Sequence, residues 1–150
     1  MFRAVLHSLE LAKEDIARWC GALTDGQLNA RPAGIAPIAF HIRHIVRSAD
    51  RLLTYVEGRQ LDKEQLASLN TELDSGATCS ELFAEFTEAL DKSAARIRAL
   101  IPTRLDDPRK VGRRELPTTV GGLLVHVADH TQRHMGQAVT TAKIVIARNS

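Results

Sequence analysis

Apolar side chains recur at steps of three and four residues along four long segments of the chain, a period typical of amphipathic helices. The first segment covers about residues 2 to 23 and stops at the breaker TDG. The second, PIAFHIRHIVRSADRLLTYVE, starts at Pro37, whose missing N–H suits the first turn of a helix. It should end at Gly58, which can adopt the left-handed conformation found after helices. We predict a helix over each segment.

Two more helices are predicted in the second half of the chain. Thr78 and Glu81 form a T-x-x-E capping box just before LFAEFTEALDKSAARIRALI, and Pro102 ends that helix. The fourth helix should begin near Thr118 or Thr119. It carries VGGLLVHVADHTQRHMGQAVTTAKIVIA, the longest periodic run in the sequence.

The connections between these helices are long and polar. We expect a loop with Gly and Pro over 24–36, a crossover over 58–77 with a short helix around KEQLASLN, and a charged loop over 102–117. No segment alternates apolar and polar residues as a half-buried strand does. Four amphipathic helices can bury their apolar faces against one another, and long connections permit a topology other than up-and-down. The prediction is therefore one all-α domain over 1–150, a four-helix bundle with long crossover loops.

Three glycines lie within the fourth predicted helix. Gly121 and Gly122 are in its first turn, where each lowers helix stability by ~1 kcal/mol relative to Ala. We expect them to allow another helix to approach closely. Gly136 follows the last histidine, where it would allow close packing in the same way or merely lower the local helix stability.

Composition and charge narrow the classes of function. The 20 basic and 18 acidic residues are dispersed and give a net charge of +2, and aromatic residues make up only 4%. A nucleic-acid surface would instead cluster Lys and Arg beside stacking rings. The sequence carries no secretory signal and no apolar run of ~18 residues. Cys20 and Cys79 form no C-x-x-C motif. We therefore expect a cytoplasmic protein without a nucleic-acid partner or a membrane anchor.

Histidines provide the candidate chemistry, because five of the six fall on two predicted helices. His41 and His44 lie on the second helix, and the fourth helix carries His126, His130 and His134. Imidazole is a common ligand of Zn, Ni, Fe and Cu, and helical bundles build such sites between facing helices. The pattern favours a metal site inside the bundle.

Helix geometry limits which histidines can share one ion. Residues four apart have Cβ atoms ~5–6 Å apart, whereas residues eight apart are separated by ~12 Å of helix rise. The fourth helix can therefore offer His130 together with either His126 or His134. The second helix can offer His41 or His44. Three imidazoles would leave an open coordination position, as in catalytic metal sites, and the alternative is a set of solvated polar side chains.

Three segments resemble the signature segments of the DinB/YfiT-like superfamily of small metal-binding four-helix proteins. They are LTDGQLNARPAG, PIAFHIRHIVRSADRLL and HVADHTQRHMGQAVTTAKI, and their order and spacing agree over nearly the whole chain. The H-x-x-x-H-x-G-Q element is the most specific. The resemblance implies one divalent metal, Zn or Ni, held by His44, His130 and His134. His41 is the alternative to His44 as the ligand on the second helix.

Other polar residues near these ligands have two interpretations. Asp50, Asp129 and Gln137 could orient an imidazole by accepting a hydrogen bond from its free N–H, or they could be solvated helix positions. Arg43 and Arg47, with a further arginine one turn later, form a positive stripe on the second helix. This stripe could bind the carboxylates of an anionic cofactor or substrate, or it could be a solvated face.

The resemblance also carries expectations about activity. Characterised members of the superfamily include thiol-dependent S-transferases and isomerases that use bacillithiol, mycothiol or glutathione. We therefore expect a metal-dependent enzyme of that kind with a small-molecule substrate, Arg43 and Arg47 binding the thiol cofactor. A metal-dependent hydrolase and a non-catalytic metal-binding stress protein are the alternatives. The resemblance further implies a homodimer.

Overall fold

Four long helices form the body of the protein, as predicted. The computed structural model describes residues 1–74 and 76–149. The long helices are α1 (Phe2–Cys20), α3 (Ile38–Val56), α5 (Cys79–Ala99) and α6 (Val120–Asn149), and the short helices α2 (Asp25–Asn29) and α4 (Lys63–Ser68) lie in the connections. The all-α class expected from the sequence is confirmed.

The helix α3 is the most deeply buried element of the bundle. Both α1 and α3 pack against α5 and α6, so that apolar side chains of all four long helices meet in one core. Fully buried members of that core include Leu9, Ile42, Leu53, Phe86 and Leu124. Because α3 faces both α5 and α6, polar side chains on it have neighbours from both helices.

Local capping signals fix the starts of several helices. Thr78 Oγ1 accepts a hydrogen bond from Glu81 N at 3.2 Å, and the Glu81 carboxylate accepts from Thr78 N at 2.9 Å, which confirms the predicted capping box. An equivalent box joins Asp62 and Gln65 at the start of α4. The short helix predicted around KEQLASLN is therefore also present.

The first connection is more ordered than the loop predicted over 24–36, because it contains a short helix. Helix α1 ends at Cys20, and Thr24 and Gln27 form a further capping box that starts α2 inside the predicted loop 24–36. This box has the same T-x-x-Q pattern that marks a helix start elsewhere. It was missed because one short turn of helix has too few residues to show apolar periodicity.

The charged loop predicted over 102–117 is wrong in part, because it contains a β-hairpin. Strands β1 (Pro108–Val111) and β2 (Leu116–Thr119) pair antiparallel, with Pro108 opposite Thr119 and Val111 opposite Leu116. Arg109 Nε donates to Val56 O at 2.6 Å and so ties the hairpin to the end of α3. Helix α6 follows β2 directly.

The first turn of α6 packs against the chain that precedes the hairpin. Val120 N donates to Asp107 O at 3.0 Å, and Gly121 N donates to Leu105 O at 2.8 Å, so two N–H groups at the helix start are satisfied by backbone. A Cβ on Gly121 would lie only 3.1 Å from Leu105 O. Gly121 therefore allows a loop to approach, not a second helix as the sequence interpretation proposed. Along the described residues, no helix has both the length and the apolar character to cross a bilayer.

Candidate metal centre

Three histidines meet where α3 packs against α6. His44, His130 and His134 each offer one ring nitrogen, and these three nitrogens lie within 4.8 Å of one another. His44 Nε2 is 2.8 Å from His130 Nε2, and the ring centroids of His44 and His134 are 4.3 Å apart. All three residues are partly buried. The structure thus brings together the three residues that the resemblance implied.

The helices place these rings for simple reasons. His130 and His134 are one turn apart on α6, and their ring centroids are 4.5 Å apart. Val127, one turn before His130, is buried and turns that side of α6 toward the core, and the buried Ser48, one turn after His44, does the same for α3. Phe40, one turn before His44, stacks its ring on that imidazole at a centroid distance of 5.2 Å.

Burial favours the neutral form of two of these imidazoles, His130 and His134. Burial, helped by His134 and His44, lowers the pKa of His130 to about 4. Burial and the nearby His44 also lower the pKa of His134. A metal ligand must be the neutral imidazole, so no proton has to be removed from these two side chains near pH 7. Partly buried neutral imidazoles are a donor set that suits Zn, Ni, Fe or Cu, and the cluster can hold a metal ion.

The other two candidate histidines lie beside the cluster. His41 is buried, and its Nδ1 is 3.1 Å from His134 Nδ1. Burial, with His134 and His44, lowers the pKa of His41 to about 4. His126 is exposed, and its ring centroid is 5.7 Å from that of His130. The structure therefore places His44, rather than His41, among the three converging nitrogens, and pairs His130 with His134.

A buried carboxylate that sequence reasoning missed contacts the cluster. Glu72 is 5% exposed, and its Oε2 accepts a hydrogen bond from His44 Nδ1 at 2.6 Å, while its Oε1 accepts from Arg51 Nη1 at 2.8 Å. Burial alone would raise the pKa of Glu72, but the hydrogen bonds from His44 and Arg51 and the charge of Arg51 lower it overall. No periodic pattern marks this residue, because it lies in the crossover between α4 and α5.

The residues predicted to orient an imidazole have other contacts. Asp50 accepts hydrogen bonds from Arg96 Nη1 at 2.5 Å and from Gln65 Nε2 at 2.6 Å. Asp129 pairs with Arg133 one turn later on α6. Gln137 is exposed. Asp50 and Asp129 thus bind other side chains, and the orienting contact comes from Glu72.

The arginine stripe of α3 binds the crossover. Arg43 donates to Asp74 O, and Arg47 donates to Glu85 Oε1 at 3.1 Å and to Thr71 Oγ1 at 2.9 Å. Arg51, the third arginine of the stripe, donates to Glu72. The stripe is therefore neither a freely solvated face nor a set of unpaired cations, and an anionic ligand would have to compete with these contacts.

An open groove lies next to the cluster. Its volume is about 780 Å³, within the usual range for small-molecule sites. The groove touches the cluster through His41, which contacts His134. Its lining is mostly apolar, with a few polar side chains, and includes Ile35, Phe40, His41, Arg133, Gln137 and Thr140.

Comparisons with known proteins agree with this architecture. A family model described as the DinB superfamily matches residues 8–138. A crystal structure of a conserved protein from Enterococcus faecalis superposes with a TM-score of 0.69 at 21% sequence identity, over 98% of each chain. Identity this low shows a shared fold alone. No significant match was found among curated proteins.

Proposed function

The chain belongs to the DinB superfamily, and on this basis we propose that it is an enzyme that depends on a divalent metal, with Zn or Ni held by His44, His130 and His134. The observation that carries the proposal is the convergence of three ring nitrogens within 4.8 Å. Three protein ligands leave a coordination position for a further ligand, an arrangement associated with catalytic sites.

The surroundings of the cluster favour neutral, oriented imidazoles, which a metal ion requires of its ligands. The depressed pKa of His130 keeps its imidazole neutral, Phe40 stacks on one face of the His44 ring, and Glu72 accepts a hydrogen bond from His44 Nδ1. A bound divalent ion would act as a Lewis acid that stabilises a thiolate or a hydroxide near neutral pH. The groove beside His41 would receive the rest of the substrate.

The reaction we propose is a thiol-dependent S-transfer or isomerisation. The superfamily resemblance supports this reaction class, and the groove of about 780 Å³ is large enough for a low-molecular-weight thiol or its substrate. Arg43 and Arg47 remain our candidates for binding the carboxylates of the thiol. They would do so by exchanging Asp74 O and Glu85 for the ligand. Metal-dependent hydrolysis and metal binding without turnover are the competing outcomes.

A cobalt-substituted protein tests this proposal directly. Glutathione, bacillithiol and mycothiol are titrated into the Co-loaded protein, and a sulfur-to-metal charge-transfer band is expected with at least one of them. The band should be lost in His44→Ala and kept in His126→Ala, a matched control on the exposed neighbour of His130. If none of the three thiols perturbs the cobalt spectrum, the thiol reaction is refuted, and hydrolysis or binding alone takes its place.

We also propose a homodimer, as the superfamily resemblance implies. Exposed apolar side chains on α1 and α6, such as Leu11 and Val125, are consistent with a second copy covering part of these helices. Light scattering at several protein concentrations measures the oligomeric state. A strict monomer at high concentration would contradict the dimer. The cytoplasmic location remains a prediction.

A further inference from the structure

The segment that carries Glu72 lies along the arginine stripe of α3. Residues 68–74, which we call the strap, leave the end of α4 and make polar contacts with each arginine of the stripe. These contacts are Arg47 Nη1 to Ser68 O at 3.3 Å and to Thr71 Oγ1 at 2.9 Å, Arg51 Nη1 to Glu72 Oε1 at 2.8 Å, and Arg43 to Asp74 O.

Few apolar side chains anchor the strap. Leu69 is 46% exposed and Leu73 is 52% exposed, so neither is buried in the core. Segments held mainly by polar contacts near the surface open at a lower free-energy cost than core helices do. The strap can therefore respond to a change at one of its contacts.

Glu72 is the buried contact of the strap, and it reaches the metal cluster. One carboxylate oxygen accepts from Arg51 and the other from His44 Nδ1. A buried carboxylate is costly unless its oxygens are paired, and both oxygens are paired here. An ionised carboxylate can only accept hydrogen bonds, so Nδ1 of His44 is the donor in this contact. Nε2 is left to face the cluster, where it lies 2.8 Å from His130 Nε2.

We propose that Glu72 is a positioning residue for His44, and that docking of the strap and binding of the metal strengthen each other. Glu72 fixes which nitrogen of His44 is protonated and how the ring is turned, which is how a carboxylate beside a histidine ligand raises metal affinity. The inference rests on the proposed metal site at His44, His130 and His134. When no thiol is bound, the arginine stripe holds the strap that delivers Glu72.

The coupling has to act in both directions. If the docked strap raises the affinity for metal by some factor, bound metal raises the docking equilibrium of the strap by the same factor. Backbone amides in the strap should therefore exchange with solvent more slowly in the metal-loaded protein. In Glu72→Ala the strap has lost its contact with His44, so metal should no longer change its exchange.

Zinc affinity, measured by competition with a chelator, tests the positioning role. Glu72→Ala should lose about 10- to 100-fold in affinity, the range found when such supporting carboxylates are removed. Glu72→Gln keeps an oxygen that accepts from His44 Nδ1 and should recover part of the loss. Glu85→Ala is the matched control, because it removes an ion pair with Arg47 but no contact with a histidine. It should bind zinc as the wild type does.

Hydrogen exchange of the strap, with and without zinc, supplies the second measurement, and circular dichroism checks that each variant is folded. Wild-type zinc affinity in Glu72→Ala, or a strap that zinc protects equally in this variant, overturns the inference. Equal affinity losses in Glu72→Gln and Glu72→Ala, with an altered cobalt spectrum in both, would make Glu72 a direct ligand and also overturn it. If zinc binds the wild type and His130→Ala equally, the metal site itself fails. Binding that needs His130 but not Glu72 refutes the inference alone.

Discussion

Gly136 offers a test of how closely the exposed face of α6 is packed. It lies inside the helix, and a Cβ built on it would have no heavy atom within 4 Å. Glycine in a helix interior costs ~1 kcal/mol relative to alanine, chiefly because the unfolded chain loses more freedom on folding. Since nothing opposes the added methyl group, Gly136→Ala should raise the free energy of unfolding by about 1 kcal/mol. For a chain of this length the melting temperature should rise by about 2–4 °C.

Gly121→Ala is the matched control for this prediction. The gain in helix propensity is no larger there, in the first turn of α6, and the added Cβ would meet Leu105 O at 3.1 Å, so the crowding should cancel the gain or exceed it. Urea unfolding of the metal-free proteins gives both free energies. A Gly136→Ala variant that is no more stable than the wild type would contradict the open surroundings of this glycine and would mean that another surface packs on it. The zinc affinity of Gly136→Ala should equal that of the wild type.

Three further predictions concern the core, a helix cap and pH. Phe86→Ala, at a residue 1% exposed, should lower the free energy of unfolding by about 3–5 kcal/mol; a loss below about 1 kcal/mol in urea titrations would contradict a packed core there. Thr78→Ala should cost about 1 kcal/mol by removing the α5 cap, whereas Ser80→Ala, at an exposed position in the same first turn, should cost less. The metal-free protein should lose stability as the pH falls from about 6.5 toward 4. Within that window the histidines of the unfolded chain bind protons, whereas His41 and His130 of the folded protein, with pKa values of about 4, do not. A urea midpoint that stays constant from pH 7 to 5 would contradict this prediction.

Long helices were predictable because periodicity and capping are local properties. The apolar steps of α3 and α6 and the capping box of Thr78 with Glu81 can each be recognised within a few turns of chain. The hairpin could not be recognised in this way. Its strands have only four residues each, Pro108 begins one and Pro117 lies in the other, and β1 contacts α3, which is distant in sequence.

In the candidate site, too, the residues on regular helices were predictable and the residue in the crossover was not. The four-residue step between His130 and His134 follows from helix geometry alone, and the choice of His44 over His41 came from the family resemblance. Glu72 could not be predicted, because it lies in an aperiodic crossover and only the folded chain buries it between Arg51 and His44. For the same reason the sequence showed a stripe of arginines but not the strap that they hold.

Metal stoichiometry shows whether His44, His130 and His134 hold an ion. The purified protein is stripped with a chelator, reloaded with zinc, freed of excess metal by dialysis, and measured by elemental analysis beside His130→Ala and His126→Ala. We expect one zinc ion per chain in the wild type and in His126→Ala, and almost none in His130→Ala. Equal zinc content in the wild type and His130→Ala would contradict this expectation.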